Sequence, residues 1–232
     1  MKRNIMLLMI PVLMFACVQM APGQLKKEER KVETFTSIDL SISANVYLTQ
    51  ENTQKIVVEA SENDLKEVVT EVKNGHLKIK TESWHSHLRE VNVYISMASL
   101  EGIGLSGSGN IVADGDLKVG SLGLTISGSG NIKFPKLTAS KIEASISGSG
   151  DILIAGPGKA ESLETHTSGS GNFNAENFEV GTAEISISGS GSARVNASGH
   201  ISAHVSGSGD VYYKGNATAD IKISGSGKAR KI

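Results

Sequence analysis

The chain has 232 residues, with 23 Lys and Arg against 24 Asp and Glu and a formal net charge of −1. That balance lacks the basic excess by which a nucleic-acid binder holds phosphates, so nucleic acid is not expected as a partner. Aromatics make up 4% of the residues and there is a single cysteine, so an intramolecular disulfide cannot hold the fold.

The N-terminus reads as an export signal. Lys2 and Arg3 precede the apolar run Ile5–Ala16, which is too short to span a bilayer. Cys17 follows at once, and two readings compete. In the favoured one, Met14-Phe15-Ala16-Cys17 is a bacterial lipobox in which Met and Phe replace the usual residues. Residues 1–16 are then removed and Cys17 is the candidate lipidation site. In the other, cleavage follows Ala21-Pro22-Gly23, and the thiol leaves with residues 1–23. Either reading gives an exported protein: an outer-membrane or cell-surface lipoprotein, or a periplasmic or secreted one, meeting a membrane only through a lipid anchor. Residues 24–34, which include Lys26-Lys27-Glu28-Glu29-Arg30-Lys31, are expected to be a charged tether.

Residues 35–100 read as the irregular start of one domain running from 35 to 232. Strand-like runs fall at Lys55–Ala60, Val68–Val72, His76–Lys80 and Val91–Ile95, and Asn74-Gly75 marks a hairpin. Ser61 stands where it can cap one helical turn over Glu62–Glu67. Leu40-Ser41-Ile42-Ser43-Ala44-Asn45-Val46 aligns with Leu105-Ser106-Gly107-Ser108-Gly109-Asn110-Ile111, with Ile and Ala in the glycine positions.

From residue 101 the chain is periodic. Ser-Gly-Ser-Gly begins at Ser106, Ser127, Ser147, Ser168, Ser188, Ser206 and Ser224, in steps of 21, 20, 21, 20, 18 and 18 residues. Such a run is usually a linker, but its flanks alternate as half-buried strands do. Taking the first Ser as zero, position −1 holds Leu105, Ile126, Ile146, Thr167, Ile187, Val205 and Ile223. Positions −3 and +5 are also mainly apolar, whereas −2 is mostly polar. A ~20-residue repeat of strands that cannot bury its apolar face alone implies stacking on copies of itself. The fold class expected is all-β: a right-handed parallel β-helix or β-solenoid of ~18–21-residue rungs, with degenerate rungs at 35–100 and seven Ser-Gly-Ser-Gly rungs at 101–232. A β-propeller is the main competitor, though its blades need about 40 residues each. The scarcity of aromatics suggests an interior too thin for large rings.

Parity along such a strand sends both serines outward and both glycines inward. The following position, +4, is mostly Asn or Asp. Stacked rungs would display one polar stripe: Ser106, Ser108, Asn110, Ser127, Ser129, Asn131, Ser147, Ser149, Asp151, Ser168, Ser170 and Asn172.

The pattern resembles a family of exported bacterial proteins common in the Bacteroidetes, the putative auto-transporter adhesin, head GIN domain family. The residues that carry the resemblance are Val32-Glu33-Thr34-Phe35-Thr36-Ser37-Ile38-Asp39-Leu40, Asn45-Val46-Tyr47-Leu48-Thr49-Gln50 and Asn63-Asp64-Leu65. Val72-Lys73-Asn74-Gly75-His76-Leu77-Lys78-Ile79 and the reiterated Ser-Gly-Ser-Gly-Asn/Asp-Ile/Val complete it. The resemblance implies a secreted or lipid-anchored β-helical protein and supplies no active site.

Chemistry-bearing clusters are few, and neither a catalytic residue, a cofactor nor a metal site is expected. His85-Ser86-His87 beside Trp84 lacks a third metal ligand. His166 and His204 share the −2 column two rungs apart, about 10 Å, too far for one ion. Calcium-binding β-rolls need a nine-residue repeat, and no carboxylate pair with glycosidase spacing can be assigned. The reading is a non-catalytic cell-envelope protein, an adhesin or glycan-binding module that uses its Ser/Asn face. The alternative is a structural or self-assembling envelope module, and a polysaccharide-acting β-helix enzyme is less favoured. The partners expected are a surface glycan, an envelope protein or a second copy of the chain.

Overall fold

The computed structural model describes residues 25–83 and 88–232. The leader, Cys17 and the Trp84–His87 segment fall outside the described residues. The rest forms a β-solenoid in one continuous sheet.

The N-terminal third does not stack in chain order. Strand β1 (Lys26–Glu29) is followed by the first rung, β2 (Ser37–Leu40) and β3 (Asn45–Gln50). The chain then leaves through β4 (Lys55–Ala60), α1 (Glu62–Glu67) and β5 (Val68–Lys73). It returns as a second rung, β6 (His76–Thr81) and β7 (Asn92–Met97), before β8 (Gly102–Leu105) and β9 (Asn110–Asp114) begin the regular part. Strand β2 lies between β6 and β8, and β3 lies between β7 and β9, all parallel. The second rung in sequence is therefore the outermost in space, and the segment 98–101 passes back across the first.

That outermost rung is capped. Antiparallel β5 covers β6, antiparallel β4 covers β7, and β1 adds to β4. Asn74 and Gly75, both at positive φ (54° and 77°), make the β5–β6 turn. Ser61 caps α1 by accepting the Asp64 N–H at 3.2 Å. The charged segment expected to be a tether is thus partly a strand: Lys26–Glu29 pairs along β4, and the Arg30 guanidinium donates to the Leu65 carbonyl at 2.6 Å. The segment alternates no apolar residues, so nothing in its pattern signals a strand. It is held by backbone pairing at the edge of the cap.

Past β9 the rungs follow in order. They run through β10 (Asp116–Lys118), β11 (Ser121–Ile126), β12 (Asn131–Phe134), β13 (Lys136–Thr138), β14 (Lys141–Gly148) and β15 (Asp151–Ile154). The long bent strands β16 (Gly158–Gly169), β17 (Phe173–Gly189) and β18 (Ser192–Gly207) continue them, and β19 (Asp210–Lys214), β20 (Thr218–Gly225) and β21 (Ala229–Lys231) end them. The columns read from the sequence are in register: Leu105, Ile126, Ile146, Thr167, Ile187, Val205 and Ile223 align rung on rung. All but the last are buried.

The interior is wider than the aromatic content suggests. Phe134, Phe173 and Phe178 are fully buried. Small residues make the room: Phe173 is paired with Ala193, and Phe134 shares its inward column with Ala113. Phe178 sits where β17 carries three more residues than β18, between the pairs Ala175–Val195 and Glu179–Asn196. The drop to 18-residue steps falls at this corner. Thr165 enters the core column between Ala144 and Ile185, and its Oγ1 has no partner.

From the second Ser-Gly-Ser-Gly corner onward both glycines are sterically required. The first, Gly148, stands at φ 133°, and a Cβ there would collide with the Gly128 carbonyl of the rung before. A Cβ on the second, Gly150, would strike the Gly130 carbonyl and come within 2.7 Å of Ile126 Cγ2. Close approach lets one carbonyl serve two donors: Gly128 O accepts Ser149 N–H at 3.0 Å and Gly150 N–H at 3.1 Å. The same fork recurs at Gly107, Gly148, Gly169, Gly189 and Gly207. Gly150→Ala should therefore destabilise the protein by about 2–3 kcal/mol in urea unfolding, as overpacking does. Gly123→Ala, at an outward strand position whose nearest atom lies 3.7 Å away, should leave it unchanged or up to about 1 kcal/mol more stable.

Candidate functional site

The expected polar stripe separates into two columns with different roles. Ser106, Ser108, Ser127, Ser129, Ser147, Ser149, Ser168 and Ser170 are all exposed and face solvent at the corner. The Asn/Asp column beside them, buried at Asn92, exposed at Asn131 and half-buried at Asn45, Asn110, Asp151 and Asn172, is joined along the rod. The Asn45 amide donates to Asn92 Oδ1 at 3.3 Å, Asn110 to Asn45 at 3.1 Å, and Asn131 to Asn110 at 3.0 Å. Further on, Asp151 Oδ1 accepts both the backbone N–H and the side-chain amide of Asn172, each at 2.9 Å. Asn172 Oδ1 in turn accepts from the N–H (3.1 Å) and hydroxyl (2.7 Å) of Ser192. An amide carries both donor and acceptor, so each rung can give to one neighbour and take from the other. These side chains are spent on holding rungs together.

Two residues beyond this ladder lies an outward row that the sequence reading did not single out. It runs Tyr94, Tyr47, Val112, Lys133, Leu153, Asn174, Arg194, Tyr212 and Arg230 through successive rungs. At its N-terminal end Tyr47 and Tyr94 stack with ring centroids 5.2 Å apart and planes 17° apart, and each is 36% exposed. Exposed large apolar side chains are few among the described residues, and this pair is where two of them meet. The signal was present as a short repeat, Asn45-Val46-Tyr47-Leu48 and Asn92-Val93-Tyr94-Ile95. Out-of-order stacking hides its meaning, because residues 47 apart in sequence become neighbours.

The platform is fixed from one side. The Tyr94 hydroxyl donates to Glu59 Oε2 at 2.8 Å, and Lys27 Nζ lies 5.0 Å from the Tyr94 ring centroid. The Tyr94 hydrogen bond, with help from Lys27, holds the Glu59 carboxyl below its usual range, and the same bond raises the Tyr94 phenol above its own. Beside the rings a shallow hollow of about 330 Å³ is lined by Tyr47, Tyr94, Val57, Thr49, Ser96, Glu51, Lys55 and Asp114. It combines a flat apolar wall with hydroxyl, carboxylate and ammonium groups.

The other candidates stay apart. His166 pairs with Glu164 at 2.8 Å, and Ser186 separates its column position from His204. No group of three or more His, Cys, Asp or Glu is placed to hold a metal among the described residues. A hollow of about 670 Å³ near Gln50 and Lys118 is crossed by the Gln50 amide, which bonds the Ala98 and Lys118 backbones.

Fold and surface together define a capped β-solenoid whose rungs are joined by glycine corners and a polar ladder, with one aromatic platform outside. The chain belongs to the family described as "Putative auto-transporter adhesin, head GIN domain", which matches residues 34–217. Among solved structures it is similar to a "putative adhesin" from Bacteroides fragilis NCTC 9343, with 26% identity and a TM-score of 0.86 over 91% of this chain and 98% of that one. A "putative adhesin" from Parabacteroides distasonis ATCC 8503 is 26% identical with a TM-score of 0.70, over 90% and 98%. A "Putative lipid binding protein" from the same organism, 24% identical with a TM-score of 0.76 over 90% and 97%, bears on the fold alone. No curated protein matches the chain.

Asn172→Ala should cost about 1–3 kcal/mol by leaving the half-buried Asp151 and Ser192 groups unpaired, whereas Ser170→Ala should stay within about 0.5 kcal/mol; parallel urea titrations compare them. The Tyr94–Glu59 bond needs a protonated phenol and an ionised carboxylate. The raised phenol pKa gives stability that is complete below about pH 10 and is lost as pH rises through it; the lowered carboxyl gives stability that is complete above about pH 4.5 and is lost on acidification. The stability gap between wild type and Tyr94→Phe should thus be flat between those limits and close at both ends.

Proposed function

We propose that the chain is a non-catalytic, exported cell-envelope protein that acts as an adhesin by binding surface glycans. It is held at the envelope by lipid on Cys17 or released after cleavage beyond it. The observation that carries the reading is the exposed Tyr47–Tyr94 stack beside a hollow of hydroxyls, carboxylates and Lys55. Sugar rings present an apolar face that packs on aromatic rings, and hydroxyls that seek fixed polar partners. The exposed hydroxyl columns of the corner add groups that can donate and accept. Membership of an adhesin-named family and likeness to adhesin-named structures support an attachment role over an enzymatic one.

A glycan array probed with the exported chain and with Tyr47→Ala/Tyr94→Ala tests the reading. Wild type should bind a subset of glycans, and the double variant should lose at least about tenfold in affinity, the equivalent of about 1.4 kcal/mol. Absence of binding by the folded wild type, or undiminished binding by the variant, would count against it.

A further inference from the structure

The two ends of the rod differ. The N-terminal rung is closed by β1, β4, β5 and α1, whereas at the other end β20 pairs only with β18 and β21 only with β19. The core columns run out there into solvent: Ile223 is 38% exposed, Ile221 half-buried and Ala219 exposed. In earlier rungs, residues at the same repeat positions turn their carbonyls to the following rung, as Glu101 does to Gly123 N–H and Leu105 to Ser127 N–H. By the same alternation, the backbone groups of Ala219, Ile221 and Ile223 face outward along the rod, unpaired among the described residues.

We propose that this end pairs with the same end of a second copy of the chain, β20 against β20 in antiparallel register about a twofold axis at Ile221. Three features of Thr218–Gly225 fit that occupant. Inward residues must meet inward residues, and a centre on Ile221 places Ile221 opposite Ile221 and Ala219 opposite Ile223. These are the residues whose free backbone groups face the partner, so each pair can exchange two hydrogen bonds. On the outer face Asp220 then stands opposite Lys222 of the partner in the more closely spaced type of pair. Centres on Asp220 or Lys222 would set like charges against each other, and centres on Ala219 or Ile223 leave both charges unmatched. Opposite charge selects one register. Because the other end is capped, the contact closes at two copies and does not propagate into a filament. This assembly is independent of the tyrosine platform, which lies at the far end of the rod.

Sedimentation of the exported full chain from about 1 to 100 µM tests the proposal. Wild type should move as a species of twice the chain mass. Lys222→Asp sets Asp against Asp at both outer pairs and should return the monomer, with the far-ultraviolet circular dichroism spectrum of the wild type because both positions are exposed. Adding Asp220→Lys to Lys222→Asp restores opposite charges in exchanged positions and should restore the dimer. A monomeric wild type overturns the proposal, and so does a filament. A dimer indifferent to Lys222→Asp, or a double variant that remains monomeric, overturns the register.

Discussion

The structure depends on how closely successive rungs approach at one corner. There the carbonyl of the first glycine in each Ser-Gly-Ser-Gly but the last accepts two N–H groups of the next rung, as Gly128 does from Ser149 and Gly150. No side chain fits between the backbones from Gly128 onward, so in those rungs the glycine pair is imposed by the neighbour below. The corner sets the vertical register. Once it is fixed, the apolar columns on either side superimpose and each rung buries a face that it could not bury alone. Parallel pairing of long-range segments is a demanding way to build a sheet, and one steric rule repeated at a fixed period makes it unambiguous.

Where that rule is absent the fold becomes irregular. Ile42 and Ala44 stand in the glycine positions of the β2–β3 rung, and that rung's outer neighbour is β6–β7, whose sequence carries no Ser-Gly-Ser-Gly. The same region supplies the cap, which hides the sheet edge that the rod would otherwise expose. The opposite end has no such cover among the described residues, and its charges fall symmetrically about Ile221.

Much of this was legible in the residues themselves. The period of Ser-Gly-Ser-Gly with its alternating flanks identifies the strands, their faces and the outward serines. Ser61 and Asn74-Gly75 mark the helix and the hairpin by local chemistry. The out-of-order rung was not legible, because it depends on where the β4–α1–β5 excursion returns. Without it, Tyr47 and Tyr94 read as isolated strand residues and the Lys26–Glu29 strand as a tether. The Asn/Asp column was visible as a stripe, but not as a ladder, since a short polar residue at a strand position looks the same whether it faces solvent or its neighbour. Aromatic scarcity alone points to too narrow an interior, because it takes no account of the small residues, such as Ala193 opposite Phe173, that make room for the rings.

The outside of the rod is not under the steric constraint that fixes the corner. The central claim is that the Ser-Gly-Ser-Gly segments are structural corners bonded rung to rung and not flexible linkers. Amide hydrogen exchange followed by NMR tests it most directly. The Ser149, Gly150, Ser170, Gly171, Ser190 and Gly191 amides should be protected to the same degree as the flanking strand amides of β14 and β16, opening only with the rod. Exchange at the rates of an unstructured Gly/Ser chain, with the strands still protected, would contradict the account.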